Sequence, residues 1–484
     1  MTDIASIETL LAAASAAHAP FAALRPAVRA GLLRRMALAL DSAAADLIPI
    51  AQQETKLPEA RLKGELSRTT FQLRLFADVL LDGAYLEATI DSADPKWPPA
   101  PRPDLRRMLL PVGPVVVFAA SNFPFAFSVA GGDTASALAA GCPVVLKAHP
   151  GHPRLGDRTA DVVRAALREG GAPEGTFAIF HGDEAGRAAL LDPRIKAGAF
   201  TGSTHGGRAL FDLASSRPVP IPFYAEMGSV NPVFVTESAA RARGAEIASG
   251  YLDSYTLGAG QFCTKPGFLF VPESAAEEIE LRLVAGILDR AAAPLLNERI
   301  ATGYSSVLGK LRAHPAIRMI HAGQETGSGP GPTLLGTTAK SLVAQRDELL
   351  VECFGPTSVV VRYAGEDELI ASARIFAGEL TASIHGESGD AIAPQLFAEL
   401  SERAGRVLWN GWPTGVAVSH AMHHGGPYPS TTSALHTSVG PTSIRRFLRP
   451  VCYQSVPQNL LPEALQDANP LDIPRAVDGK PPRR

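Results

Sequence analysis

The chain has 484 residues, more than one hydrophobic core usually supports, so two or three domains are expected. Apolar residues make up 46% and charged residues 19%, which excludes a disordered chain. A formal charge of -3 offers no general basic surface to nucleic acid, and the small cluster Arg445, Arg446 and Arg449 is a solvated or subunit-facing strip.

Met1 to Ile50 is alanine-rich but interrupted by Asp3, Glu8, Arg25, Arg29, Arg34 and Arg35, without the pattern of a secretory signal. No later segment supplies the roughly 20 uncharged apolar residues of a membrane span. Four cysteines, Cys142, Cys263, Cys353 and Cys452, lie far apart with no CxxC pair. That spacing speaks against a zinc ribbon or a disulfide framework and suits a reducing compartment, so a cytoplasmic location is expected.

From Ile4 to about Leu86, apolar residues recur at helical spacing, as in Leu32, Met36, Leu40 and again Leu73, Phe76, Leu80. Pro95, Pro98, Pro99, Pro101 and Pro103 then exclude helix and central strand, which marks a linker, edge arm or subunit-bridging ribbon. Beyond it short apolar strands alternate with helices: strand 115–119, helix from about Phe127 to Ala140, strand 143–147, helix 156–169, strands 177–180 and 195–200. This alternation predicts a parallel, doubly wound sheet that binds its ligand beyond the carboxyl ends of the strands. Strand candidates at 232–235, 267–271 and 357–361 predict a second α/β domain.

Several residues carry chemistry. Phe200-Thr201-Gly202-Ser203 follows a strand and opens a helix, so its amides could hold a pyrophosphate, although a packing turn would look the same. Lys147 ends an apolar strand and either reaches a cleft or snorkels to the surface. Asn122 lies past a strand end, as an oxyanion donor or a simple cap. Cys263, in Gly260-Gln261-Phe262-Cys263-Thr264, is a buried core thiol or a nucleophile. The stretch around it is free of acidic residues, so the thiol is expected to be held as thiolate, with a carboxylate elsewhere activating water.

Asn122 with Phe123-Pro124, Lys147, the turn 200–203, Glu226, Cys263 and Glu352 in Glu352-Cys353-Phe354-Gly355-Pro356 follow one another in an order and spacing that resembles the aldehyde dehydrogenase superfamily from about residue 20 to 450. The resemblance implies an α/β fold with a Rossmann-type cofactor domain (1–94 and 113–228), a second α/β catalytic domain (229–420), and a β oligomerisation arm with C-terminal segment (95–112 and 442–475). It implies Cys263 as nucleophile, Asn122 as oxyanion donor and Glu226 as general base, in an oxidation that passes through a thiohemiacetal and a thioester. Lys147 and Glu352 would grip the cofactor riboses, Phe354 would lie against the nicotinamide, and Gly202, Ser203 and Gly207 would form the pyrophosphate turn.

Pro150 stands where NAD-preferring members carry glutamate, which lessens repulsion of a 2'-phosphate, while His149, His152 or Arg154 could attract one. NADP is therefore the expected cofactor, with NAD still open. The runs 121–153, 224–232 and 410–432 resemble a subgroup of the family that acts on 2-oxoglutarate semialdehyde and is related to NADP-dependent long-chain fatty aldehyde dehydrogenases. A carboxylate-bearing substrate calls for a donor-rich pocket, for which the loop residues Ser419, His420, His423 and His424 are the candidates, with Gln261 and then Ser419 and His420 singled out. The HxxHH spacing at His420, His423 and His424 lacks an accompanying carboxylate in sequence, so no metal is expected. The apolar segment after Thr442 would pair with the arm to form a homodimer or homotetramer, with a mobile tail from about Arg475 to Arg484.

Three further readings compete. A cysteine hydrolase would pair Cys263 with a histidine and leave the doubly wound domain idle. A catalytically silent structural protein would have no use for Cys263, Glu226 and Asn122 together. A CoA-acylating dehydrogenase would not need Glu226 as a base for water.

Overall fold

The computed structural model describes residues 2–483; Met1 and Arg484 lie outside them. Four helices, Ile4–Ala22, Pro26–Ser42, Ala44–Thr55 and Glu59–Asp82, form the front section. Strands β1 (Thr89–Asp91) and β2 (Leu105–Pro111) flank the proline-rich stretch. A first sheet then contains β3 (Val115–Phe118), β4 (Val144–Lys147), β5 (Phe177–Phe180), β6 (Ala197–Thr201) and β7 (Phe223–Glu226), in the order β5-β4-β3-β6-β7 and parallel throughout. The order reverses between β3 and β6, which makes the carboxyl ends of those strands the topological switch point.

The strands of this sheet read as unbroken apolar runs because both faces are covered. Val115 and Val117 enter a core shared with Leu32, Met36, Leu73 and Phe76 of the front helices, while Val116 and Phe118 enter another with Ile7 and Leu11 of the first helix. Successive side chains of a strand point to opposite faces, so one run feeds two cores.

The second sheet holds β8 (Val233–Val235), β9 (Phe268–Pro272), β10 (Arg318–His321), β13 (Thr333–Thr338), β14 (Thr357–Tyr363), β15 (Glu379–His385) and β16 (Ala404–Trp409). Its order is β10-β13-β14-β9-β8-β15-β16, and only β10 runs antiparallel to its neighbour. A two-residue ribbon, β11 (Glu325–Thr326) and β12 (Gly329–Pro330), sits apart. Phe268 and Phe270 face one core and Leu269 and Val271 the other, by the same alternation.

A third sheet, β17-β2-β1-β18-β19, joins the arm to the C-terminal segment through β17 (Leu448–Gln454), β18 (Arg475–Val477) and β19 (Lys480–Arg483). Two expectations change here. The tail from Arg475 is paired rather than mobile as far as Arg483, because β18 lies parallel to β1 and β19 folds back on β18. The arm sheet also takes in residues 89–91, ahead of the proline cluster. The helix expected from Phe127 begins at Gly132 instead, after an irregular segment following Asn122. Among the described residues, no helix is long and apolar enough to cross a membrane.

Candidate active site

The nucleophile candidate is presented by a turn that few residues tolerate. Gly258, Ala259 and Gly260 carry φ of 58°, 55° and 67°, and a Cβ at Gly260 would lie 2.1 Å from the carbonyl oxygen of Gly355. Asn231, itself left-handed at φ 47°, donates from Nδ2 to the carbonyls of Cys263 at 2.8 Å and Lys265 at 3.0 Å. Buried Glu379 in turn accepts from Ser229 Oγ (2.6 Å) and from the Val230 and Asn231 amides (2.8 and 3.2 Å). Burial raises the Glu379 carboxyl to about 7, against the pull of these donors. Asn122 closes the other side, its Nδ2 donating to the Gln261 carbonyl at 3.3 Å.

Glu226 ends β7 and is fully enclosed by loops from the C-terminal region. Its Oε2 accepts from Ser438 Oγ, and its Oε1 lies 2.8 Å from His424 Nε2. That approach is a close ion contact when the imidazole is protonated, without the alignment of a full hydrogen bond. His424 Nε2 is also 3.5 Å from Cys263 Sγ. Glutamate, cysteine and histidine thus offer ligand-type atoms within 4.8 Å of one another, a donor set suited to proton transfer and able in principle to hold a cation.

The electrostatics correct the expectation of a standing thiolate. Burial pushes the Cys263 thiol well above the usual range, and the carboxylates of Glu226 and Glu352 push it further. The sequence around Cys263 carries no acid, but the fold brings two. Burial also tends to raise Glu226, yet His424, Ser438 and the Cys263 thiol outweigh it, and the carboxyl is held below its ordinary value. At neutral pH the resting pair is therefore a protonated thiol facing a carboxylate. Alkylation of Cys263 by iodoacetamide, followed at its peptide, is expected to accelerate about tenfold per pH unit from about pH 7 to pH 9, since thiolate stays the minority form. A plateau reached below neutrality would mean a thiolate is held after all.

Around the switch point, Lys147 is buried at the end of β4 with Nζ 2.7 Å from Asp183 Oδ1, whose side chain is 75% exposed, so the lysine does reach an opening. Gly202 and Ser203 sit exposed between β6 and the helix Thr204–Ser215, where Ser203 Oγ caps the helix by accepting from the Gly206 amide. Gly207 is instead buried, and a Cβ there would meet Met227 Cγ at 2.6 Å, so its smallness serves packing. Glu352, raised to about 7 by burial and by Glu379 against the pull of Lys265, reaches the same region from the second sheet. A Cβ at Gly228 would lie 2.4 Å from Glu352 Oε2 and 2.9 Å from Thr204 Oγ1. The bare backbone at Gly228 therefore lets a hydroxyl-binding carboxyl and a helix N-terminus converge, an arrangement that fits the ribose and pyrophosphate of a dinucleotide. Phe354 is half-buried on the loop that carries Glu352.

Several expected residues fall elsewhere. Gln261 is 1% exposed and its amide is committed to backbone, accepting from Leu296 N at 2.8 Å and donating to the carbonyls of Gly258 and Pro294. Ser419 and His420 are exposed, and their side chains make no hydrogen bond among the described residues. His424, four residues further on, takes the place expected of that loop. Pro150 is exposed beyond Lys147. His149 is lowered to about 3 by burial, then by His152, Lys147 and Arg299, so it is neutral and cannot attract a phosphate by charge. His152 is buried with Nε2 at 3.0 Å from the Ala120 carbonyl, and Arg154 reaches Gln53.

The chain belongs to the aldehyde dehydrogenase family, whose sequence pattern it matches over residues 2–450, and its chemistry is the NAD(P)-dependent oxidation of an aldehyde. Among characterised relatives it is 46% identical over 460 residues to alpha-ketoglutaric semialdehyde dehydrogenase 2 of Azospirillum brasilense, covering 94% of this chain and 87% of the relative. It is 45% identical over 458 residues to the alpha-ketoglutaric semialdehyde dehydrogenase of Acinetobacter baylyi, covering 93% and 86%. The fold is shared with 3,6-anhydro-L-galactose dehydrogenase in complex with NAP (TM-score 0.80, 21% identity, 93% and 92% covered). It is shared too with aldehyde dehydrogenase 21 of Physcomitrella patens in complex with succinate (TM-score 0.79, 20% identity, 95% and 92% covered).

Proposed function

We propose that the chain oxidises 2-oxoglutarate semialdehyde to 2-oxoglutarate, with Cys263 as nucleophile, Glu226 as base, His424 as their common neighbour and Asn122 as oxyanion donor. The observation that carries the chemistry is the meeting of Cys263, His424 and Glu226 beside Asn122; the substrate follows from the relatives at 45–46% identity.

The thiol proton passes to His424 as sulfur bonds to the aldehyde carbon, which leaves the Glu226 carboxylate free for water. The carbonyl oxygen becomes an oxyanion, which the Asn122 side-chain amide and the Cys263 backbone amide stabilise. A nicotinamide held there would supply the hydride acceptor, and collapse of the oxyanion would leave a thioester on Cys263. Glu226, with His424 against it, then takes a proton from water. The new C–O bond displaces sulfur, which takes back the proton held by His424, and the carboxylate product leaves as Glu226 releases the water proton to solvent. Asn231 and Glu379 act as positioning residues by fixing the loop that carries Cys263.

Lys147, the turn at Gly202 and Ser203, Glu352 and Phe354 would hold the cofactor. NADP is the proposed form, because Pro150 leaves no carboxylate on that loop and Arg299 adds positive charge near His149 and Asp183. Asp183, bonded to Lys147, opposes this by its own charge. The unpaired cysteines fit a cytoplasmic setting, and the arm sheet fits a homodimer or homotetramer.

The test is kcat/KM for 2-oxoglutarate semialdehyde, glutarate semialdehyde and a long-chain fatty aldehyde, each with NADP and NAD. The oxo-acid is expected to lead by about tenfold or more, with NADP preferred. A lead for the fatty aldehyde would keep the chemistry and overturn the substrate.

A further inference from the structure

The helix Glu59–Asp82 turns a polar face inward. Arg61, Glu65, Arg68 and Gln72 recur at helical spacing, and Glu65 and Gln72 are only 5% and 3% exposed. The two guanidinium groups lie against aromatic rings next to the reaction centre. Arg61 Cζ is 4.7 Å from the ring centre of Phe262, the residue before Cys263, and 5.3 Å from that of Phe123. Its Nη2 donates to the Asn122 carbonyl at 2.7 Å. Arg68 Cζ is 5.4 Å from the ring centre of Phe127, which lies 6.4 Å from the His424 ring.

None of the chemical steps uses these arginines, yet space is kept for them: a Cβ at Gly258 would come within 2.6 Å of Arg61 Nη1. Nη1 of Arg61 and Nη1 of Arg68 are buried without a hydrogen-bond partner among the described residues. A buried donor without an acceptor is costly, and in a binding site it marks a place for one. Glu65 does not fill that role: its Oε1 accepts from the amides of Phe125 at 2.8 Å and Ala126 at 3.0 Å, and its Oε2 is buried without a hydrogen-bond partner among the described residues. Two guanidinium groups against one carboxylate leave a single excess positive charge on this face. Burial weakens the hold of Arg68 on its proton, and the carboxylates of Glu65 and Glu226 counter that in part. Arg406 also keeps its Nε buried without a partner, but both of its terminal nitrogens donate to the carbonyls of Gly415 and Pro413 and brace that loop.

We propose that Arg68, with Arg61 beside it, binds the carboxylate at the far end of the substrate and sets the preference for aldehydes that carry one. The assignment rests on the reading that the substrate is a semialdehyde acid. Extended, a five-carbon chain carries its carboxylate about 5 Å from the aldehyde carbon, so the group that binds it must stand near the nucleophile, as guanidinium groups against Phe262 and Phe127 do.

The experiment compares kcat and KM for 2-oxoglutarate semialdehyde and for pentanal, the uncharged aldehyde of equal length, in the wild type, Arg68→Leu and Arg68→Lys. Arg68→Leu is expected to raise KM for the acid about 30-fold or more while kcat, and both constants for pentanal, stay within about threefold; Arg68→Lys recovers part of the loss. Equal losses on both aldehydes, or an unchanged KM for the acid, would overturn the assignment. Binding of 2-oxoglutarate to the Cys263→Ala protein gives a second reading without turnover. Adding Arg68→Leu should weaken that binding at least about tenfold with cofactor binding intact, and equal affinity would also overturn the assignment. A wild type that does not favour the acid over pentanal removes the substrate reading, and the proposal with it. A wild type that favours the acid, with variants that keep that preference, removes the arginine assignment alone.

Discussion

Cys263→Ala is expected to lower turnover by about four orders of magnitude while leaving cofactor affinity within about twofold, measured by steady-state kinetics and by nucleotide titration. The loss should be this large because no other thiol can replace it. Cys142 is fully buried with its sulfur directed at the Phe447 carbonyl, Cys353 is buried in the second-sheet core, and Cys452 is exposed on the arm strand β17. Cofactor affinity should survive because Lys147, Gly202, Ser203 and Glu352 hang from different strand ends and loops, held by contacts that do not pass through the Cys263 side chain. Retained aldehyde oxidation in this variant would remove covalent catalysis. Lost cofactor binding would mean that the nucleophile loop and the nucleotide cleft are one structural unit.

How far the sequence led depended on whether a residue's signal is local. The strands β3, β4 and β5 were legible because both faces are buried and the runs Val115-Val116-Val117-Phe118 and Val144-Val145-Leu146-Lys147 are continuously apolar. The order of Asn122, Lys147, Glu226, Cys263 and Glu352 was legible through resemblance, and the structure gathers Asn122, Glu226 and Cys263 at one point. β7 escaped because four residues hemmed by prolines give too short a pattern, although Glu226 stands at its end. His424 escaped for a different reason. Its loop was singled out, but choosing among Ser419, His420, His423 and His424 requires knowing how the chain from 419 to 440 folds over β7, as in the bridge between Glu226 and Thr431. Asn231 stood in view before Pro232, and only its left-handed backbone and its bonds to the Cys263 loop reveal its purpose. The raised thiol likewise could not be read from neighbours in sequence, since the two carboxylates acting on it come from positions 226 and 352.

Glu226→Gln separates the two halves of the reaction. The amide keeps the size of the side chain and can still bond to Ser438, but it carries no charge and cannot take a proton from water. Loss of the charge relieves one of the influences that keep the Cys263 thiol protonated, so acylation should continue and alkylation near neutral pH should become faster than in the wild type. Hydrolysis of the thioester has no such compensation. Mixing the variant with aldehyde and excess cofactor is therefore expected to give a burst of reduced cofactor close to one per active site. Steady-state turnover should follow at least about a hundredfold below wild type. His424→Asn should differ in kind. The imidazole contacts both sulfur and carboxylate, so its removal should slow the burst itself as well as the later cycles. A Glu226→Gln protein with no burst would place the carboxylate in thiol activation above all, and one with unchanged steady turnover would pass the role of base for water to His424. The burst amplitude and the steady rate answer separately because proton removal from sulfur falls to His424 and proton removal from water to Glu226.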